Sequence, residues 1–273
     1  DKTYSVGVAG PGTYYIGVSA SEFYYNSGQY SLTASNIAGS TNGAESEGND
    51  TRATADTLTL GAAMTAQLSA RTDLDYFSVT ATTAGALSVI FDVPTNSSFQ
   101  DFFKLGLYDA NGTLLSSFAT GADKTYSVGV AGPGTYYIGV SASEFYYNSG
   151  QYSLTVSDAG VTGKTFEAEG NSTRSTATTV KFGTPVIGQI STLSDIDYFA
   201  FAVNSPGSLN LNFDRPNGGS TGSFLVSIES PNGDTIASIT DVTDPQNVSI
   251  VVSSPGTYYA RVSSALSYTY SSG

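Results

Sequence analysis

Along most of the chain apolar and polar residues alternate with a period of two. Leu209-Asn-Leu211-Asn-Phe213 is the plainest run. The spacing recurs at Phe77 and Val79, at Leu87, Val89 and Phe91, at Phe103, Leu105 and Leu107, and at Tyr126, Val128 and Val130. It recurs again at Tyr136, Ile138 and Val140, and at Tyr152, Leu154 and Val156. Successive side chains of an extended strand point to opposite faces, so this pattern buries one face and wets the other. Turn sequences separate the runs: Ala110-Asn-Gly112, Ala131-Gly-Pro-Gly134, Asn148-Ser-Gly150, Pro231-Asn-Gly-Asp234 and Ser254-Pro-Gly256. Short strands at this spacing, without convincing helical periodicity, predict an all-β fold of antiparallel β-sandwich modules. A short helical or irregular turn is expected around Thr51 to Thr57, where Arg52, Ala53 and Ala55 interrupt the alternation.

The pattern is also tandem. Asp1 to Ser35 returns as Asp123 to Ser157 with one change, Ala34 to Val156, which sets a period of 122 residues. A diverged copy follows: Asp73-Leu-Asp75-Tyr-Phe77 becomes Asp195-Ile-Asp197-Tyr-Phe199, and Pro133-Gly-Thr-Tyr-Tyr137 becomes Pro255-Gly-Thr-Tyr-Tyr259. Residues 1–35 then read as the C-terminal strands of a preceding repeat, 36–157 as a complete sandwich, and 158–273 as a diverged sandwich lacking its last strand, as in a window cut from a longer array. A module of this length can bury a core of its own, unlike the short units of a solenoid.

Composition narrows the chemistry. The chain has no cysteine, histidine or tryptophan. Without histidine the commonest general base, the usual zinc ligand and every Ser-His-Asp arrangement are gone, so a non-catalytic protein is expected. The formal charge of −13 repels nucleic acid and anionic membrane surfaces and favours multivalent cations. No apolar run approaches the roughly 20 residues needed to span a bilayer, so no membrane insertion is expected. Abundant Gly, Ser, Thr and Tyr with few lysines suits an extracellular or cell-surface bacterial protein.

The acids cluster. Glu45-Ser-Glu47-Gly-Asn49-Asp50 precedes the first core strand, and Asp73-Leu-Asp75 opens it. If both segments are extended, Glu45, Glu47 and Asn49 share one side and Asp73 and Asp75 share another. Two such faces meeting form an all-oxygen pocket whose carboxylates repel unless a cation sits among them. Ca2+ accepts six to eight oxygens in flexible geometry, whereas magnesium demands a stricter octahedron and zinc prefers nitrogen or sulfur. The second copy offers Glu167, Glu169, Asn171, Asp195 and Asp197, with Ser172 in place of Asp50. It is therefore expected to bind more weakly, or to hold one ion where the first holds two.

These motifs, with Leu107-Tyr-Asp-Ala-Asn-Gly112, Pro133-Gly-Thr-Tyr-Tyr-Ile138 and Tyr152-Ser-Leu154, resemble the bacterial pre-peptidase C-terminal domain family, which includes the calcium- and collagen-binding domains of clostridial collagenases. The resemblance implies tandem jelly-roll-like, non-catalytic sandwiches attached to secreted proteases or surface proteins. It also implies that Glu45, Glu47, Asn49, Asp50 and one or both of Asp73 and Asp75 are calcium ligands pinning an N-terminal linker to the sandwich.

Three roles fit these readings. The modules are calcium-stiffened repeats of a large adhesin or extracellular filament, with neighbouring repeats as partners; or they bind collagen or polysaccharide through a tyrosine-bearing face containing Tyr137, Tyr146 and Tyr147; or residues 1–35 donate strands to another copy of the chain. Adjacent strand residues face opposite ways, which places Tyr136 in the core and Tyr137 outside.

Overall fold

The structure, a computed structural model, describes residues 12–19, 31–34, 43–97, 99–158, 165–215, 222–240 and 245–265. Its strands fall into two groups. The first contains β1 (Asp56–Thr57), β2 (Ala63–Ala66), β3 (Leu74–Ala81), β4 (Gly85–Asp92), β5 (Phe103–Tyr108), β6 (Leu114–Thr120), β7 (Lys124–Val130), β8 (Gly134–Ala142) and β9 (Tyr152–Asp158). A five-stranded sheet in the order β1-β3-β8-β5-β6 faces a four-stranded sheet in the order β2-β9-β4-β7.

The core between them is made by the alternating residues. Phe77 and Val79 of β3, Leu87, Val89 and Phe91 of β4, and Tyr152, Leu154 and Val156 of β9 are all buried. Tyr152 is the hub, with its ring centroid 5.0 Å from that of Phe91, 5.6 Å from Phe103 and 6.4 Å from Phe77. Each large apolar side chain so buried contributes roughly 1.5–3 kcal/mol, which explains why the period-two pattern dictates these strands. Tyr136 is buried and donates to the carbonyl of Gly132 at 2.8 Å, while Tyr137 turns outward, as the alternation predicts.

The long strands pair antiparallel as expected, while the two-residue β1 at the sheet edge runs parallel to β3. Between them the chain crosses to the other sheet to form β2 and returns, and a strand re-entering after such a crossover enters in the same sense as the one it left. Residues 51–54 form a turn, with Thr54 N donating to Thr51 O at 3.0 Å, and no helix follows before β1.

The second group repeats this plan with β10 (Thr165–Phe166), a single 3-10 turn at Arg174–Thr176, β11 (Thr178–Thr179), β12 (Val186–Ile187), β13 (Ile196–Val203), β14 (Gly207–Phe213), β15 (Phe224–Glu229), β16 (Thr235–Thr240), β17 (Gln246–Val252) and β18 (Gly256–Ser264). The five-stranded sheet is reproduced as β11-β13-β18-β15-β16, with β11 parallel to β13. The opposing layer consists of the pairs β14-β17 and β10-β12. Among the described residues no strand lies between β12 and β14, where β9 lies between β2 and β4. Leu211 and Phe213 are correspondingly only half-buried, whereas Val89 and Phe91, one period earlier, are enclosed. Of residues 1–35, the described segments 12–19 and 31–34 belong to no strand; the other strands expected there lie outside the described residues.

Candidate metal centre

In the first module the acidic segment is a strap laid across the edge of the sandwich. It starts beside β2, where Glu45 N donates to Thr65 O at 3.0 Å. Gly48 takes φ +93°, a left-handed conformation open to glycine at little cost, and this turn swings Asn49 inward. The carbonyl of Asn49 accepts from Tyr76 N of β3 at 3.0 Å. Asp56 holds the strap from outside, accepting from both N and Oγ of Ser46 at 2.7 Å and from Asn49 Nδ2 at 3.3 Å. The segment is therefore not the extended strand that the alternation argument assumed. Its acids converge because of the glycine turn and these tethers.

Under the strap lies Asp75, on the inward face of β3 and 0% exposed. Its Oδ2 accepts from the Tyr152 hydroxyl at 2.6 Å. Glu45 is also buried, accepting from Gln67 N at 2.5 Å and from Asn49 Nδ2 at 3.4 Å. Asp73 sits in the turn before β3 and accepts from Ser69 N at 2.5 Å and Leu74 N at 3.0 Å, so it does not share a strand face with Asp75. Even so, carboxylate oxygens of Glu47, Asp73 and Asp75 all lie within 4.8 Å of one another. Asp50 is exposed and outside this trio, although its charge acts on Glu47.

The second module builds the same arrangement. Glu167 accepts from Gln189 N and, at 3.0 Å, from Asn171 Nδ2. Asp195 caps its turn by accepting from Ser191 N at 2.6 Å and Ile196 N at 2.9 Å. Oxygens of Glu169, Asp195 and Asp197 again lie within 4.8 Å of one another. Thr178 stands where Asp56 stands one period earlier and takes a 3.4 Å bond from Asn171. Because Asp50 lies outside the first trio, its replacement by Ser172 removes no member of the second.

The electrostatics of the two pockets agree. Burial, reinforced by the neighbouring carboxylates, pushes Asp75 up to about 9 and Asp197 up to about 10. Burial likewise raises Glu45 and Glu167 to about 7, against hydrogen bonds that pull them down, and Glu169 to about 9. Glu47 is raised by partial burial and by Asp73. A buried acceptor without a donor carries the whole cost of lost hydration. Asn49 Oδ1 and Asp75 Oδ1 in the first pocket, and Glu169 Oε1, Asn171 Oδ1 and Asp197 Oδ1 in the second, are buried with no hydrogen-bond partner. All are acceptor oxygens, the kind of ligand a hard cation takes. Glu47, Asp73 and Asp75, and their counterparts Glu169, Asp195 and Asp197, could thus hold a metal ion, with Glu45 and Asn49, and Glu167 and Asn171, paired beside them.

Tyr152, Asp56, Gln67 and Gln189 were not singled out from the sequence. Tyr152 carries the alternation of a core strand and opens the Tyr152-Ser-Leu154 motif, and neither signal points to the pocket. The expected tyrosine face is not one surface. Tyr137 lies near the start of β8 beneath Arg52, whose guanidinium is 5.8 Å from its ring centroid. Tyr146 and Tyr147 follow the far end of β8, the former against Phe102 and the latter donating to Leu68 O at 2.9 Å. The residues that accompany Tyr137 on the outer sheet are Tyr76 and Tyr108, whose rings are 6.1 Å apart.

The fold defines a protein of two all-β sandwich modules, each with a cluster of acidic side chains that could hold a metal ion. Residues 195–264 match the family model of the bacterial pre-peptidase C-terminal domain, so the resemblance carried by the motifs holds for the second module. A solved pre-peptidase C-terminal domain of collagenase from Bacillus anthracis is similar at 16% identity, covering 37% of this chain and 93% of that one, with a TM-score of 0.31. The tandem CBM51 modules of Sp3GH98, the family 98 glycoside hydrolase from Streptococcus pneumoniae, are similar at 9% identity over 79% of this chain and 78% of that one, with a TM-score of 0.23. These matches are to accessory modules rather than to catalytic domains. No curated protein matches the chain.

Proposed function

We propose that this chain is a non-catalytic region of a secreted or surface-anchored bacterial protein, an adhesin or extracellular filament, in which calcium fastens an acidic strap at the start of each sandwich. On this reading residues 36–157 and 158–273 are successive repeats and residues 1–35 are the end of another. The observation that carries the proposal is the pair of matching pockets in which buried oxygens lack any donor. Calorimetric titration of chelator-treated protein tests it. Both modules are expected to take up calcium in preference to magnesium, and the melting temperature is expected to rise. Calcium at a hundred times its dissociation constant stabilises the folded form by about 2.7 kcal/mol. A flat titration would overturn the reading.

Two further roles have particular observations behind them. The ring pair Tyr76 and Tyr108 beside Tyr137 and Arg52 offers the first module an aromatic platform for polysaccharide or collagen; Tyr108→Ala should abolish retention on a glycan or collagen array if this platform binds. Among the described residues no strand lies between β12 and β14, a place that a donated strand would suit. Filaments that persist after deletion of residues 1–35 would rule out donation from that segment.

A further inference from the structure

Phe166 is 5% exposed, yet it belongs to neither sandwich core. Its ring lies on Gly129 in β7 of the preceding module, where an added Cβ would come within 2.7 Å of Phe166 Cδ1. Beside this contact Gln189 reaches across. Its Nε2 donates to Ser116 Oγ at 2.9 Å and to the Tyr126 hydroxyl, and those two hydroxyls are themselves 2.6 Å apart. The same Gln189 donates its backbone N–H to Glu167 in the second pocket. One residue therefore holds a pocket carboxylate with its main chain and the neighbouring module with its side chain. The charge of Asp109, in the β5–β6 turn of the first module, also acts on Glu169.

The corresponding face of the second module is different. At the places of Ser116, Tyr126 and Gly129 stand Ala237, Val248 and Val251. Valine at 248 has no hydroxyl to meet a glutamine amide, and the side chain of Val251, 80% exposed, fills the space that Gly129 leaves for a phenylalanine ring. Tyr4 and Gly7, one period before Tyr126 and Gly129, keep the accepting residues in sequence; they lie outside the described residues.

We propose that Ser116, Tyr126 and Gly129 form a docking face for the strap edge of the following repeat, that Gln189 couples this seam to the second cation pocket, and that a module with valines at those positions does not accept such a repeat. The coupling rests on the calcium reading above; the docking face does not. Because coupling is reciprocal, the seam tightens when the ion binds, and the ion binds more tightly when the seam is closed.

The absence of cysteine allows spin labels at Thr80→Cys and Ala202→Cys, both at exposed strand positions, one in each module. Pulsed spin-resonance distances in calcium should be narrow for the parent chain. They should be at least twofold broader after Tyr126→Val with Gly129→Val, which writes the second module's residues into the first module's face. An unchanged distribution overturns the docking face. Gln189→Ala spares the backbone donor to Glu167. It should weaken calcium at the second pocket about three- to tenfold in calorimetry and leave the first unchanged; equal affinities in variant and parent overturn the coupling. If neither pocket takes calcium, the ion reading and the coupling fail together, and the distances alone decide the docking face.

Discussion

The hydroxyl of Tyr152 donates to Oδ2 of Asp75 at 2.6 Å, so the last strand of the first module is bonded to the floor of its cation pocket across the sandwich. Tyr152 is at the same time the centre of the aromatic core. One residue of this module therefore belongs to both the core and the pocket. Among the described residues no tyrosine bonds Asp197, whose side chain pairs with that of Glu167 instead.

Tyr152→Phe keeps the ring and removes the donor, leaving a second oxygen of a fully buried carboxylate unsatisfied. The expected cost is about 1–3 kcal/mol, read from the urea midpoint in saturating calcium. An unchanged midpoint would mean that the tyrosine matters only for packing.

Asp197→Asn removes a carboxyl that burial pushes up to about 10, so that the metal-free module no longer has to take up a proton there on folding. The metal-free second module should melt at a higher temperature than the parent, while its calcium affinity falls by at least tenfold, or about 1.4 kcal/mol. Lower stability in chelator would contradict the electrostatic account of the pocket.

The raised carboxylates set the pH dependence. With Asp75 near 9, Asp197 near 10 and Glu45 and Glu167 near 7, the metal-free folded state holds more protons than the unfolded chain over the window from about pH 4 upward. Its stability is therefore greatest below the unfolded pKa values and declines as pH rises through the folded ones. Calcium replaces those protons, so its affinity rises across the same window. The gap in melting temperature between calcium and chelator should be wider at pH 8 than at pH 5. A gap independent of pH would show that these acids do not hold the ion.

Arg174 pairs with Glu229 at 2.7 Å and lies 5.0 Å over the ring of Tyr259. In the first module Tyr108 takes the place of Glu229 beside Arg52, whose polar contact is a 3.3 Å bond to Ala110 O. Arg174→Ala leaves Glu229 nearly buried without its cation and should cost about 1–3 kcal/mol, whereas Arg52→Ala should cost less than about 1 kcal/mol. Differential scanning calorimetry of the two variants distinguishes them; equal losses would make the ion pair irrelevant.

The strands were legible because one-sided burial is written locally: Phe77, Val79, Leu87 and Val89 announce their faces within a few residues of themselves. The acidic members of the pockets were legible because Glu45, Glu47, Asp73 and Asp75 have few other uses at such density. The parallel pairing of β1 with β3 was not legible, since it follows from an excursion of the chain to the other sheet. Nor was the exclusion of Asp50 from the trio, which depends on the turn at Gly48. Tyr152 and Gln189 escaped for a different reason. Each does two things at once, and sequence shows only the commoner one, a strand aromatic and a surface amide.

The strap at Glu45 to Asn49 has a consequence for when the molecule becomes rigid. On the calcium reading its clasp is not encoded in the polypeptide alone and must be supplied by the surrounding fluid. A newly made chain in a calcium-poor cytoplasm would stay slack, and the same chain would harden once outside, after any passage that required it to be pliable.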